Sequence, residues 1–435
     1  MGLLISVFLA ACSQNNEGTV TPPANGVQPQ PTLTTPSPTP VPQPTPLPPA
    51  VSIEPPLGSI TLTIWTNTEI SAFGDAPGDQ LLREQITAFD ADRPGLQLSL
   101  SQKALSGQGS LLSYLRTARA VAPTILPDLV LLPTNQLSSA AADQLVYPLD
   151  NLLDPGLIAD LYPAADQLGR INGMLMGYPL ALRGLSHLAY NPENITGTLP
   201  LTWAEFAAQD SRLILPAAGP EGARLVLQFY LALNGPLTNE ANQPALRADI
   251  LTQALTLLSE GRNSGLILLN SSNIATVAEA WQLFQNGQAS TTLVTAAAYL
   301  AQSSQGIASR FAPIPGIEGA LPPLVDGWVW AIATTDPARQ RAAADLITWL
   351  AHEARNGDWS WQSGVLPARR SAFSRWPTGE PYIVFLQQEL ERAQPVPTQV
   401  SSSIMTALSD AVFDIISLQS APETAADAAA AAVNN

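Results

Sequence analysis

The stretch ITLTIWTNTEISAFGDAPGDQLLREQITAFDADRPGLQLSL, residues 60–100, determines the fold class. Apolar and polar side chains alternate at residues 60–64 and again at residues 96–100, with the period of two that indicates a β-strand. Between them, apolar residues recur at helical spacing over residues 82–89, and Arg-Pro-Gly at residues 93–95 ends the helix. This order of strand, helix and strand predicts a parallel or mixed sheet covered by helices, which is an α/β fold.

Later segments continue the pattern of buried strands and capped helices. Residues 129–132 form a short apolar run, and helices are predicted to begin after Thr202 and after Asp336. A chain of 435 residues is long enough for two lobes with separate cores, because one core rarely grows beyond about 250–300 residues. The alanine-rich residues 421–435 are interpreted as a low-complexity tail.

The composition excludes several classes of function. Cys12 is the only cysteine and the chain has two histidines, so thiolate metal clusters and Ser-His-Asp triads are poorly supplied. No metal or cofactor is expected. The 35 acidic and 19 basic residues give a formal charge of −16, which opposes binding to nucleic acid. A binding protein is therefore favoured over an enzyme.

The N-terminus carries a short apolar segment, LLISVFLAA, directly before Cys12. The residues Leu9, Ala10, Ala11 and Cys12 resemble the lipobox of bacterial lipoproteins. This resemblance implies a signal peptide over residues 1–11, a diacylglycerol on the Cys12 sulfur, and an extracytoplasmic protein anchored to the membrane. No Lys or Arg precedes the apolar run, as one normally does in an export signal, and the alternative is an uncleaved start of a buried helix or strand.

Residues 12–58 are dominated by proline. Of the 40 prolines in the chain, 14 fall in residues 21–57, where Glu54 is the only charged residue. Proline favours extended polyproline II and removes backbone donors, so this segment is expected to form a stalk and not a core. At about 3.1 Å per residue, its upper reach is on the order of 100 Å.

Beyond the stalk, a series of motifs resembles, in order and spacing, the extracellular solute-binding proteins of bacterial ABC importers, family 1, the maltose-binding-like group. The resemblance covers about residues 59–420, and its most specific motif is GMLMGYPLAL at residues 173–182. The supporting motifs are PDLVL at 127–131, LVYPLD at 145–150, AYN at 189–191, GQASTT at 287–292, PIPG at 313–316, DGW at 326–328 and GVLPAR at 364–369.

This resemblance implies a two-lobed α/β fold of the periplasmic-binding-protein type II kind, in which a hinge closes two lobes on a ligand in the interlobe cleft. It also implies a receptor that passes its solute, most often a sugar, to the permease subunits of an ABC transporter. A monomer is expected. The first lobe would contain residues 59–185 and 311–352, and the second lobe residues 186–310 and 353–420.

The cleft residues implied by the resemblance lie at strand ends and where the chain crosses between the lobes. Aromatic faces pack against sugar rings, while carboxylates, amides and arginine form hydrogen bonds with hydroxyl groups. The implied ligand-binding residues are Trp65, Asn67, Glu69, Thr134, Asn135, Tyr178, Arg183, Thr295, Tyr299, Asp326, Trp328 and Trp361.

The tryptophans require a second interpretation, because large aromatic side chains commonly belong to cores. Ligand contact is favoured for Trp65 and Trp328, while for Trp361 ligand contact and core packing are equally good. Four others are interpreted as core or helix-packing residues, namely Trp203, Trp281, Trp349 and Trp359.

Two departures from the family weaken the assignment of a sugar. Three alanines at residues 296–298 occupy the place of a stacking aromatic, and Arg183 stands where relatives more often have an acidic or neutral polar residue. A guanidinium can bind a carboxylate through two hydrogen bonds, so an acidic sugar is one alternative. The other alternative is that Arg183 pairs with a cleft carboxylate such as Glu69 or Asp326.

Other functions stay open. A non-sugar solute is an alternative within the binding class. Glu69 and Asp326 could instead be the carboxylate pair of an anchored glycoside hydrolase, which would require a separation of about 5–10 Å. A stalked adhesin or structural surface protein is the third class, and it would lack an interlobe cleft.

Overall fold

A computed structural model describes residues 60–107, 109–302 and 308–434, which form a large and a small β-sheet flanked by helices and a two-stranded sheet of β4 and β5. Cys12, the predicted signal peptide and the predicted stalk lie outside the described residues. The strands are β1 (Ile60–Asn67), β2 (Leu96–Lys103), β3 (Leu129–Pro133), β4 (Arg170–Ile171), β5 (Met174–Leu175), β6 (Tyr178–Arg183), β7 (Ser186–Tyr190), β8 (Leu213–Ile214), β9 (Thr291–Thr295), β10 (Arg310–Ala312), β11 (Leu324–Ile332), β12 (Leu366–Pro367) and β13 (Gln394–Pro395).

The predicted succession of strand, helix and strand over residues 60–100 is confirmed as β1, α1 and β2. Asp336 begins α11 by accepting hydrogen bonds from two backbone N–H groups, as predicted.

In the described ranges, no helix is long and apolar enough to cross a membrane. The α-helices are α1 (Pro77–Ala91), α2 (Leu111–Val121), α3 (Thr134–Ala142), α4 (Pro155–Ala159), α5 (Pro163–Gly169), α6 (Trp203–Ala207), α7 (Pro220–Ala232), α8 (Ala248–Asn263), α9 (Val277–Gln285), α10 (Ala296–Gln302), α11 (Pro337–Leu350), α12 (Glu353–Ser363), α13 (Pro381–Arg392), α14 (Ser402–Ile416) and α15 (Pro422–Asn434).

The large sheet has the strand order β12-β6-β11-β3-β1-β2, and β13 pairs with one end of β11. Strands β1, β2 and β3 run parallel, so their carboxyl ends meet at one edge of the sheet. Strand β11 lies antiparallel to both β3 and β6. The large sheet is therefore mixed, and the predicted α/β class is confirmed.

The small sheet has the strand order β10-β7-β9-β8 and a core of its own. Helices α7, α8, α14 and α15 contribute most of the apolar side chains of that core. The chain crosses from the large sheet to the small sheet directly after β6, since only Gly184 and Leu185 separate β6 from β7. It crosses back between β10 and β11, and a third time between β13 and α14.

The predicted division between the lobes differs from the strand pairing in one segment. Residues 353–420 are predicted to join the second lobe, but β12 pairs with β6 in the large sheet and α12 packs against α1. The register places Leu366 opposite Leu182, and no sequence pattern reports a pairing between segments so far apart. The first part of this segment therefore lies with the large sheet.

The alanine-rich C-terminus is a packed helix and not a low-complexity tail over residues 422–434. Helix α15 packs against α8 and α14, and it buries four alanines between residues 425 and 430. The Asn434 side chain accepts a hydrogen bond from the backbone N–H of Leu246 and donates one to its carbonyl. Because alanine is small, helices can approach closely at such positions, and the repetitive composition reflects this packing.

The interpretation of four tryptophans as packing residues is confirmed. Trp203, Trp281 and Trp359 are each at most 3% exposed. Trp349 is half-buried, donates its indole N–H to the Gln85 carbonyl, and packs beneath the guanidinium of Arg355. All four side chains therefore have packing partners within the protein.

His187 lies fully buried where α13 meets the small sheet. Its Nδ1 is 3.0 Å from the Leu188 carbonyl, which can only accept, so Nδ1 carries the proton and Nε2 accepts from the Tyr382 hydroxyl at 2.8 Å. Tyr299 and Phe385 pack edge-on against the ring. Burial lowers the pKa of His187 to about 4, because the imidazolium would have to lose its hydration.

We expect this histidine to make the fold less stable in mild acid. The unfolded chain binds the proton near pH 6.5 and the folded chain only near pH 4, so the unfolded state holds more protons between these values. The contribution of neutral His187 to stability is therefore complete above pH 6.5. As the pH drops from 7 to 5.5, the free energy of unfolding falls by about 1 kcal/mol. Urea unfolding of His187→Gln should show a shallower pH dependence than the wild type.

The other histidine, His352, is exposed and serves as the control. The variant His352→Gln should keep the pH dependence of the wild type, because this side chain lies on the surface and folding does not bury its imidazole. If the free energy of unfolding changed equally with pH in the wild type and in His187→Gln, the assignment of this pH dependence to His187 would be wrong.

Candidate functional site

Arg183 lies at the end of β6, where the chain leaves the large sheet. The register of β6 and β11 places it directly opposite Asp326. Its Nε donates to the Asp326 carboxylate at 2.5 Å, and its Nη1 donates to the Glu69 carboxylate at 2.5 Å. The Arg183 side chain remains 40% exposed. One guanidinium therefore joins β6, β11 and the loop after β1 while keeping a face open to solvent.

Arg224, from α7 in the small-sheet core, completes this cluster. Its Nη1 lies 3.4 Å from the Asp326 carboxylate, and its Nη2 donates to the Leu324 carbonyl at 2.6 Å. A side chain at Gly184 would place its Cβ 2.4 Å from the same Nη2 and would adopt an unfavourable positive φ of 82°. Glycine is therefore required where the chain crosses, so that Arg224 can reach the large sheet.

The charges of this site, which we call the Arg183 cluster, balance one another. It contains two guanidinium groups, Arg183 and Arg224, and two carboxylates, Glu69 and Asp326. Burial acts to lower the pKa of Arg183, but Asp326 and Glu69 outweigh burial and the pKa is raised. For Arg224 burial outweighs the attraction of Asp326, and its pKa is lowered. The cluster thus presents hydrogen-bonding groups without a net charge.

Two cavities meet at Arg183. The larger cavity has a volume of about 450 Å³. It is lined by Arg183, Arg224, Thr134, Asn135 and the segment 395–400. The smaller, of about 180 Å³, lies between Arg183, Thr295 and the turn at Gly364. Both therefore border the crossing segment between the sheets. Among the described residues, no group of three or more His, Cys, Asp or Glu side chains could hold a metal ion.

The structure brings together seven of the predicted ligand-binding residues. Glu69 and Asp326 contact Arg183, and the Trp328 ring lies 4.6 Å from the Arg183 guanidinium carbon. The others line the cavities, Thr134 and Asn135 the larger and Thr295 the smaller. The ion pairs of Arg183 with Glu69 and Asp326 confirm the interpretation in which this arginine pairs with nearby carboxylates.

Three other predicted residues are buried away from the Arg183 cluster. Trp65 is 4% exposed in a core beneath α2. Asn67 is fully buried, donates to the Leu131 carbonyl, and accepts from two backbone N–H groups of the following turn. The Tyr178 hydroxyl donates to the Leu157 carbonyl, and burial raises the pKa of Tyr178. These side chains already have structural partners away from the cavities.

Two further predicted residues lie apart from the Arg183 cluster. Tyr299 is buried, donates its hydroxyl to the Ser309 carbonyl, and packs against Tyr382. Trp361 on α12 is 39% exposed and packs edge-on against Trp376. The structure thus places the first in an aromatic core and the second on the surface.

Arg224 and the segment 395–400 were not predicted from the sequence. Arg224 lies on a helix whose other residues are mostly apolar, and a single arginine in such a helix usually marks its solvent face. The segment has a signal that could have been used, since Pro395 and Pro397 interrupt two helical stretches and favour an extended connection.

Comparison with known proteins extends this description. Residues 86–380 match the family model described as bacterial extracellular solute-binding protein. The structure is similar to that of a family 1 extracellular solute-binding protein from Alicyclobacillus acidocaldarius, with a TM-score of 0.70 and 16% identity over 86% of this chain and 98% of that chain. No curated protein sequence matches the chain.

Two other solved structures share the fold. The cyclic α-maltosyl-1,6-maltose binding protein from Arthrobacter globiformis has a TM-score of 0.68 and 18% identity over 87% of this chain and 98% of that chain. A solute-binding protein of an ABC transporter from Agrobacterium radiobacter K84, solved with ribitol, has a TM-score of 0.59 and 18% identity over 87% of this chain and 99% of that chain. Since the family model covers more than half of the sequence, the chain belongs to the bacterial extracellular solute-binding protein family.

Proposed function

We propose that this protein is an extracytoplasmic receptor that captures a carbohydrate at the Arg183 cluster and delivers it to an ABC permease. The observation that carries the proposal is the charge-balanced cluster beside two cavities at the crossing between two sheets. Membership of the solute-binding family supports it. The larger cavity, at about 450 Å³, is within the range of small-molecule sites.

A polyhydroxylated solute suits this cluster better than an anion held by Arg183. Arg183 already donates to two carboxylates, so its charge is offset before any ligand arrives. Carboxylates accept hydrogen bonds from hydroxyl groups and guanidinium groups donate to them, which is the pattern that a sugar needs. Two proteins of similar structure are described as binding cyclic α-maltosyl-1,6-maltose and ribitol, which are both polyhydroxylated.

Binding without turnover is favoured over glycoside hydrolysis. A glycosidase requires one carboxyl group that is protonated and one that is free to act as nucleophile or base. Here Glu69 and Asp326 both accept short hydrogen bonds from Arg183. Arg183 therefore engages both carboxylates as hydrogen-bond acceptors, and neither is free to act as nucleophile or base.

The strand pairing supports a hinge at the crossing segments. We place one lobe around the large sheet and the other around the small sheet, with the hinge at Gly184 and Leu185 and in the connections after β10 and β13. Arg224 links the lobes through Asp326, so closure would change the contacts of the cluster. Lipidation at Cys12 and the proline-rich stalk would hold this monomeric receptor near its permease.

Thermal unfolding of the purified full-length protein with a panel of solutes tests the proposal. At least one mono- or oligosaccharide should raise the melting temperature, since a ligand present at 100 times its Kd stabilises the folded state by about 2.7 kcal/mol. Native mass spectrometry should find the same solute intact after incubation. A shift with a peptide or polyamine, and with no saccharide, would eliminate the carbohydrate assignment.

A further inference from the structure

Lys103 lies against two aromatic rings at the end of β2. It is the last residue of β2, and its Nζ lies 4.7 Å from the ring centroid of Trp65 and 5.1 Å from that of Tyr114. The two rings meet edge to face, with their centroids 6.4 Å apart. Trp65 is buried, whereas Tyr114 is 45% exposed. We call these three residues the Lys103 platform.

The charge of Lys103 is not offset. It is the only lysine in a chain of formal charge −16, and no carboxylate within the described residues forms an ion pair with it. Nor is any hydrogen-bond acceptor within the described ranges in contact with its Nζ, which has three donors. Arg183, in contrast, is paired with two carboxylates. The ammonium group of Lys103 is therefore the unpaired cation that a negatively charged ligand group would meet in this region.

The platform lies at the same sheet edge as the Arg183 cluster. Lys103 pairs in register with Asn67, and adjacent strands are about 4.8 Å apart. Two residues after Asn67, Glu69 contacts Arg183. On the other side of β1, Gln136 of α3 donates to the Leu105 carbonyl, which holds the loop after Lys103 close to the start of α3. Glu69 therefore lies between the two features, and an extended ligand that passes along it would contact both.

We propose that the Lys103 platform binds a carboxylate group of the carbohydrate, with the exposed Tyr114 ring against the sugar that carries it. This inference rests on the proposed function and identifies the solute as an acidic saccharide of the uronate type. A carboxylate is preferred to a phosphate because one ammonium group balances one negative charge, whereas a phosphate monoester carries nearly two. The Arg183 cluster would then bind the hydroxyl groups.

The substitutions Lys103→Met and Lys103→Arg distinguish carboxylate binding by Lys103 from a packing role. The Lys103 stem covers Trp65, so Lys103→Met retains the apolar contact and removes the charge. Lys103→Arg retains the charge and can still bind a carboxylate. If Lys103 only shields the tryptophan, the methionine variant will bind acidic and neutral sugars as the wild type does.

Isothermal titration of the full-length protein with digalacturonate and with its neutral counterpart galactobiose, and with further uronate and neutral disaccharide pairs, tests the proposal. The wild type should bind at least one uronate about tenfold more tightly than its neutral counterpart. Lys103→Met should lose about tenfold in affinity for that uronate and less than twofold for the neutral sugar, while Lys103→Arg stays close to the wild type. Added salt should weaken uronate binding selectively.

The possible failures are distinguishable. Binding of neutral disaccharides without any preference for a uronate, or an equal loss for both in Lys103→Met, would overturn the assignment of Lys103 and leave the proposed function intact. Binding of no saccharide at all would overturn the proposed function itself, and with it this inference.

Discussion

Replacing Arg183 with methionine should lower the affinity for the bound carbohydrate by about 100-fold or more. The change removes the donors that hold Glu69 and Asp326 in place, and Asp326 is left with only a 3.4 Å contact to Arg224. Truncating one partner of a hydrogen-bonded charge pair at a binding site typically costs about 2–5 kcal/mol of affinity. Isothermal titration with the saccharide that stabilises the wild type measures the loss.

Arg116→Met is the matched control for this prediction. Arg116 also forms a short ion pair, 2.6 Å from Asp143, but it lies on the surface and lines neither cavity. Its removal should leave the affinity unchanged and alter stability by less than about 1 kcal/mol. Arg183→Lys should be intermediate, because an ammonium group keeps the charge and loses the geometry that spans two carboxylates. Wild-type affinity in Arg183→Met would exclude the cluster as the binding site.

Local sequence patterns predicted the elements of the fold better than their arrangement. The alternation in β1 and β2 and the cap at Asp336 depend on neighbouring residues, and the structure confirms them. The position of β11 between β3 and β6 depends instead on pairings such as Trp328 with Pro133, which connect segments far apart in the chain. Hydrophobic periodicity contains no information about such partners, so the lobe assignment of residues 353–367 could not be read from it.

The site shows the same distinction. Arg183 and Asp326 were predicted from the family resemblance, and Glu69 also from its place after a strand; the structure brings the three together. Trp65 also lies near a strand end, but its side chain points to the face that α2 covers, and the position of α2 is a tertiary property. Arg224 was missed for a related reason, since only the packing of α7 directs it towards Asp326.

Gly327→Ala should destabilise the fold by about 2–3 kcal/mol and also weaken solute binding about tenfold. Gly327 lies in β11 between Asp326 and Trp328, and an added Cβ would be 2.0 Å from the carbonyl oxygen of Ala181 in β6. Backbone cannot rotate away as a side chain can, so β6 and β11 must separate locally, and such overpacking costs about 1–3 kcal/mol or more. The shift would move Arg183 relative to Asp326, and binding sites tolerate errors of only about 0.5 Å.

Gly319→Ala separates this clash from the general effect of adding a methyl group to a glycine. Gly319 lies in the connection between β10 and β11, its φ is not positive, and no atom lies within 4 Å of an added Cβ. This variant should therefore match or slightly exceed the wild type in stability, since alanine restricts the unfolded chain. Urea unfolding measures the stability of both variants, and isothermal titration measures their affinity. If Gly327→Ala behaved like Gly319→Ala in both experiments, β6 and β11 could not be as close as this register requires.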